Sequence, residues 1–185
     1  MRVVAGIKKG FKLAAITKGT VRPTSDRTKQ VIFNVLKDAV PNSIVLDVFA
    51  GSGSLGIEAL SRGAAKAIFI ESEMAAIKLL IDNLKKTGFG EQAEIFRTTA
   101  EKAAKKLSEL NIQFDLILAD PPYGGTVAQD AIRLIHNKKL LKNSGWLAIE
   151  HSSRTELIQT AENLILKKQK RHGDSAVSFY QYVET

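Results

Sequence analysis

The stretch 44–58, Ile44-Val-Leu-Asp-Val-Phe-Ala-Gly-Ser-Gly-Ser-Leu-Gly-Ile-Glu58, restricts the possible folds of this chain more than any other. Ile44, Val45, Leu46 and Val48 are the residues of a strand buried on both faces. Gly51, Gly53 and Gly56 follow at once. Their spacing fits the fingerprint whose glycines allow a tight turn, a close backbone approach to a ligand and close helix packing. The spacing by itself leaves the ligand open.

Asp47 narrows it. An acid at the carboxyl end of that strand would repel a pyrophosphate, whereas S-adenosylmethionine brings a sulfonium and an α-ammonium group that an acid attracts. Glu71 ends the next apolar run, 67–71, where an acid takes a ribose diol. Nicotinamide cofactors carry the same diol, so Glu71 does not choose between the two.

From Ile44 onward apolar strands alternate with helical patterns, which is the signature of a parallel sheet covered on both faces. Helices are expected over 55–61, 73–86 (with Ala76, Ile77, Leu80, Ile81 and Leu84 inward), 100–110 and 126–136. Strands are expected over 93–97, 114–119 and 145–150. Glu58 and Arg62, one turn apart, read as a surface pair. Upstream, Thr24 or Ser25 caps a helix carrying Val31, Ile32, Val35 and Leu36. The runs 163–169 and 176–183 read as an antiparallel hairpin at the sheet edge. Residues 1–22 form a small basic hairpin or arm, and 23–185 one globular unit.

The chain has a formal net charge of +8, and residues 1–30 hold eight basic side chains against Asp26 alone. Such a stripe beside a cofactor site reads as a footprint for a phosphate backbone, with Arg2, Lys8, Lys9, Lys12, Arg22 and Arg27 as its candidates and the basic stretch 167–171 in support. The absence of cysteine excludes disulfides, thiolate zinc sites and cysteine nucleophiles. His136, His151 and His172 lack companions at metal spacing, so no metal site is expected. No apolar run reaches the roughly 18 residues of a membrane span, and the first residues lack a signal peptide's apolar core. A cytoplasmic protein is expected.

Asp120-Pro-Pro-Tyr123 follows the apolar strand 114–119 and falls on the same sheet edge as Gly51. Consecutive prolines remove two amide donors, leaving the Asp120 carboxylate and the Pro121 carbonyl as local acceptors. An acceptor pair suits an NH₂ group. Gripping both hydrogens of an exocyclic amine pyramidalises the nitrogen and aims its lone pair at an electrophilic methyl, while Tyr123 stacks on the base. Two rivals stay open on these residues. A nicotinamide oxidoreductase leaves Asp47 and the proline turn without a task, and a non-catalytic RNA-binding or assembly protein has no need of Asp120.

The segment 47–63 together with Asp120-Pro-Pro-Tyr123 resembles the bacterial 16S rRNA (guanine(966)-N2)-methyltransferase family. The likeness extends to Arg2-Val-Val-Ala-Gly6, to Arg22-Pro-Thr-Ser-Asp-Arg27 with Phe33-Asn-Val-Leu36, and to Gly173-Asp-Ser-Ala-Val-Ser-Phe-Tyr180. The proline turn marks amino-group methylation only, so adenine, cytosine or a glutamine amide would fit it equally. The resemblance implies an α/β Rossmann-type fold with a mostly parallel central sheet, helices on both faces and an antiparallel C-terminal hairpin. It implies S-adenosyl-L-methionine as cofactor and N2 of one guanine in small-subunit ribosomal RNA, within a ribosomal particle, as target; the chain is expected to act as a monomer. By position, Asp47, Phe49, Ala50, Gly51, Ser52 and Gly53 would line the cofactor's methionine end. Glu71, with Ser72 beside it, would hold the ribose. Asp120, Pro121, Pro122 and Tyr123 would take the flipped guanine. Where many relatives carry an acid for the adenine amine, this chain has Thr98, Thr99 and Ala100, so contacts from Thr99 and Ala100 would come from the backbone.

Overall fold

The computed structural model describes residues 1–15, 25–122, 124 and 126–183. The alternation read from the sequence becomes five parallel strands, β1 (Ile44–Val48), β2 (Lys66–Glu71), β3 (Ala93–Arg97), β4 (Phe114–Ala119) and β5 (Leu141–Ser152). Three antiparallel strands extend the sheet: β6 (Thr160–Ala161), β7 (Leu164–His172) and β8 (Ser175–Tyr182). Their order is β3-β2-β1-β4-β5-β8-β7-β6. The expected C-terminal hairpin is therefore present and lies against β5. The two-residue β6 is a feature that the sequence pattern does not announce.

Helices α1 (Asp26–Val35), α2 (Ser54–Ser61) and α3 (Met74–Thr87) pack on one face of the sheet, and α4 (Ala100–Glu109) and α5 (Val127–Asn137) on the other. Ser25 caps α1 by accepting a hydrogen bond from Thr28 N at 3.0 Å. Gly88, left-handed at φ 77°, ends α3. Along α3 the inward row is Ala76, Ile77, Leu80 and Leu84, whereas Ile81 is 38% exposed. The expectation that Ile81 faces inward fails because the helical turn carries it onto the flank of that row.

Every residue of α2 is buried, although an eight-residue helix beside a sheet would ordinarily keep one solvent face. The cover is the segment 1–15, which folds back on itself through the Arg2–Lys12 bridge and lays Val3 and Leu13 into the α1–α3 core. Glu58 holds it down. Its carboxylate accepts from Val4 N at 2.7 Å, Ala5 N at 2.9 Å and Arg62 Nε at 2.8 Å, and it is fully buried. Glu58 and Arg62 are thus no surface pair. The carboxylate satisfies two backbone amides that the covering segment brings into the interior, and the Arg62 guanidinium lies 4.7 Å from the centre of the Phe33 ring.

Among the described residues no helix is long and apolar enough to cross a membrane.

Candidate active site

The strand order reverses between β1 and β4, which opens a crevice at their carboxyl ends. Phe49, Gly51 and Gly53 turn through left-handed conformations there, at φ 64°, 57° and 83°. The turn is fastened to β2: Ala50 N donates to Ile70 O at 3.0 Å and Gly51 N to the Glu71 carboxylate at 2.8 Å. The other Glu71 oxygen accepts from Ser72 N and Glu73 N, at 2.7 and 2.8 Å. A side chain built on Gly51 would meet nothing within 4 Å. That face of the turn is open to a ligand.

Behind it the packing is tight. A Cβ on Gly56 would sit 2.3 and 2.7 Å from ring carbons of the fully buried Phe69 and 3.1 Å from Asp47 Oδ2. Gly56→Ala should therefore strain the core by about 1–3 kcal/mol. A lowered melting temperature in calorimetry, together with weaker cofactor binding, is the expected result; a melting temperature equal to wild type would overturn it.

Asp47 is 1% exposed and its Oδ2 accepts from Gly56 N, in the first turn of α2, at 2.8 Å. Burial pushes its carboxyl up to about 8; the Gly56 amide opposes this, and the charges of Asp120 and Glu71 add to it. Neither Asp47 nor Glu71 forms an ion pair with a lysine or arginine among the described residues. An acid-rich crevice behind an open glycine turn fits a cationic ligand.

The raised carboxyl makes a pH prediction. In the unfolded chain Asp47 ionises near the ordinary value of 3.8, while in the fold it keeps its proton to about pH 8. Its contribution to stability is complete below about pH 4 and is lost as pH rises through 8, at about 1.4 kcal/mol per pH unit across that window. Asp47→Asn, which keeps the acceptor for Gly56 and removes the charge, should match wild type near pH 4 and melt higher than wild type at pH 9. Equal melting temperatures at pH 9 would show that Asp47 ionises without cost.

Asp120 follows β4, half-buried, with Pro121 buried and Pro122 exposed. Ala119 pairs with Val48 on one side and Ile149 on the other, so Asp120 stands beside the glycine turn and beside Glu150. Glu150 was not singled out from the sequence. It is 5% exposed, with the Thr28 hydroxyl 3.4 Å from its Oε1, and Thr28 Oγ1 is in turn 3.5 Å from His172 Nε2. The signal was available: β1, β2, β4 and β5 each bring an acid to the carboxyl edge, namely Asp47, Glu71, Asp120 and Glu150.

A family model described as Conserved hypothetical protein 95 matches residues 1–181. The ribosomal RNA small subunit methyltransferase D of Haemophilus influenzae is 36% identical over 182 residues, covering 98% of this chain and 93% of that protein. The chain belongs to the small-subunit ribosomal RNA methyltransferase D family. Its Escherichia coli member is 31% identical over 181 residues, 98% of this chain and 89% of that protein. The solved structure of Escherichia coli yhhF superposes with a TM-score of 0.87 at 30% identity, covering 99% of this chain and 98% of that one. The fold is accordingly the Rossmann-type methyltransferase fold.

In this member of the methyltransferase D family the cofactor candidates fall into two groups. Asp47, Phe49, Ala50, Gly51, Ser52, Gly53 and Glu71 gather around the turn, with Ser72 at its rim. Thr99 caps α4, accepting from Lys102 N, and Ala100 borders a small apolar pocket with Val48, Ile70 and Ala104. Tyr123 and Arg22 lie outside the described residues. Among the described basic candidates Arg2 and Lys12 are neighbours through their bridge, and Lys8 and Lys9 lie in the turn between them. Arg2 pairs with Asp26 at 2.8 Å, and Lys8 lies 6.0 Å from the Phe89 ring centre. Ile7 N bonds to Ser61 O at 2.8 Å, at the far end of the helix that starts from the glycine turn, so Lys8 and Lys9 sit toward the edge of the sheet opposite the crevice. Lys29 is fully buried and donates to Arg2 O. Burial pushes its ammonium down, with Glu58 and Asp26 opposing. Lys9, Lys12 and Arg27 are exposed, Arg27 in the first turn of α1.

One sequence-distant residue also belongs to the site's support. The buried Asn83 carboxamide donates from Nδ2 to Ser52 O and to Ala14 O and accepts from Ala14 N, each at 2.9 Å. It ties the N-terminal segment to the cofactor turn.

Proposed function

We propose that this chain is an S-adenosylmethionine-dependent methyltransferase that modifies the exocyclic N2 of a guanine in small-subunit ribosomal RNA. The observation that carries the reading is the meeting of two acceptor-rich strand ends: Asp120 and its prolines stand next to the turn formed by Asp47 and Gly51. The printed names of the Haemophilus and Escherichia relatives support ribosomal RNA of the small subunit as the substrate.

The cofactor supplies an electrophilic methyl on a sulfonium. The chain's own residues do the rest. Glu71, bonded to Gly51 N, offers a cationic ligand an acid at the turn, while Asp47, buried behind the turn and protonated up to about pH 8, holds the turn against Gly56 N. The Asp120 carboxylate and the Pro121 carbonyl accept the two hydrogens of the target amine, and Pro121 and Pro122 present no amide donor to compete. Held in this way, the nitrogen directs its lone pair at the methyl, becomes cationic as it is methylated, and then loses its extra proton to solvent. The guanine reaches the site by leaving its stack, at a cost of a few kcal/mol.

Methyl transfer from labelled S-adenosylmethionine to unmethylated small ribosomal subunits, followed by digestion to nucleosides, tests the reading. Label in N2-methylguanosine is the expected result. Label in another nucleoside would keep the chemistry and remove the guanine assignment, and the absence of label on both particles and naked RNA would overturn the function.

A further inference from the structure

We infer that the open edge of β7 is the track along which the substrate RNA's phosphates lie, so that the RNA is held by the C-terminal hairpin and not by the turn of the N-terminal segment. The inference rests on the reading of this chain as an RNA methyltransferase and adds to it the surface used. β6 pairs with β7 only at Leu164 and Ile165, and Leu166 N finds Gln159 O at 2.8 Å. From Lys168 to His172 the strand is paired in the sheet on the β8 side only, and Lys167 falls at the irregularity where the register shifts.

Lys167, Lys168, Lys170 and Arg171 are all exposed on that edge, and β7 contains no acid. Among the described residues none of the four is ion-paired. Most of the described basic residues of 1–30 differ: Arg2 is matched by Asp26, Lys29 is buried, and Lys8 and Lys9 lie toward the wrong edge, which leaves Lys12 and Arg27 exposed. Direction completes the argument. β7 is antiparallel to β8, and β8 to β5, so β7 runs the same way as β1 and β4 and ends at the sheet edge that carries the crevice, three strands from β4. His172 at that end reaches Thr28, whose hydroxyl lies against Glu150, the neighbour of Asp120. The cationic row rises about 13 Å over four residue steps toward the place an extruded base must enter. Arg27 stands at its head, beside Thr28. A protein strand added to this edge would look for apolar side chains, and 167–171 reads Lys-Lys-Gln-Lys-Arg. A polyanion fits it. Lysines on an open edge also deter edge-to-edge aggregation, which gives the test its competing outcome.

The test compares Lys167→Gln/Lys168→Gln/Lys170→Gln/Arg171→Gln with Lys8→Gln/Lys9→Gln in the full chain. Binding to transcribed small-subunit ribosomal RNA is measured between about 50 and 200 mM salt, with the melting shift given by S-adenosylhomocysteine as the check on the cofactor site. The fourfold variant should lose at least about tenfold in RNA affinity at the low-salt end and flatten the log–log salt slope by about 3, near 0.7–0.9 per lost contact, with the melting shift unchanged. The double variant should bind like wild type. Wild-type affinity and slope in the fourfold variant, with or without aggregation, would overturn the inference, as would an equal loss in the double variant. Should wild type bind RNA through this edge yet transfer no methyl to RNA or to small ribosomal subunits, the proposed function fails while the surface stands; should it bind no RNA yet methylate the subunits, the surface falls while the function stands.

Discussion

Asp120→Ala should reduce methyl transfer by about 10³-fold while the protein still binds its cofactor. Removing one preorganised partner of a reacting group typically costs 10²–10³ in rate, and here the loss is compounded because the prolines that follow offer no side-chain replacement. Asp120→Asn should be nearly as slow, since an amide in place of the carboxylate can present a donor to the amine's hydrogens. Binding is read separately, as the melting shift produced by S-adenosylhomocysteine, which should survive. A second readout belongs to the same variant. The charge of Asp120 is one cause of the raised carboxyl of Asp47, so Asp120→Ala should lower the pH at which Asp47 ionises. A variant that loses turnover and cofactor binding together would mark Asp120 as structural.

The largest loss of stability is expected from Glu58→Ala. It strips Val4 N, Ala5 N and Arg62 Nε of their acceptor inside the protein and removes a compensating charge near buried Lys29. Breaking a buried charged pair from one side costs about 3–5 kcal/mol, a large part of the 5–15 kcal/mol that holds a domain folded. At about 2–4 °C per kcal/mol for a chain of this size, the melting temperature should fall by about 10 °C. Glu58→Gln, which keeps one acceptor, should recover part of it. The comparison is Glu94→Ala, which breaks the half-exposed Lys66–Glu94 pair of 2.8 Å and should change stability by less than about 1 kcal/mol. Similar melting temperatures for the two alanine variants would refute the anchoring role of Glu58.

Much of the sheet was legible because a strand buried on both faces needs consecutive apolar residues, as in Ile44 to Val48 and Phe114 to Ala119, and parallel pairing then carries every strand's carboxyl end to one edge. That geometry makes the convergence of Asp47, Glu71 and Asp120 readable in advance. What could not be read depends on distant partners. Glu58 meets Val4 across 54 positions, and Thr28 meets Glu150 across 122, whereas helical periodicity sees only three or four. Counting charges located the basic excess in residues 1–30 but could not tell a cation facing solvent from Arg2, matched by Asp26, or Lys29, enclosed in the core. Glu150 carries the same acid-after-apolar-run pattern as Asp120 and went unselected because no proline turn follows it.

The bond pattern of Asn83 also fixes an order of events during synthesis. Residues 1–15 leave the ribosome ahead of their partners Glu58, Ser61 and Asn83, which come 53 to 69 positions later. Until α2 emerges, the amides of Val4 and Ala5 have no native acceptor, and until α3 emerges Ala14 N has none and Ser52 O lacks the amide that steadies the cofactor turn. The opening residues of the chain are therefore among the last of its first half to lock, and the cofactor turn gains its full support only when they do.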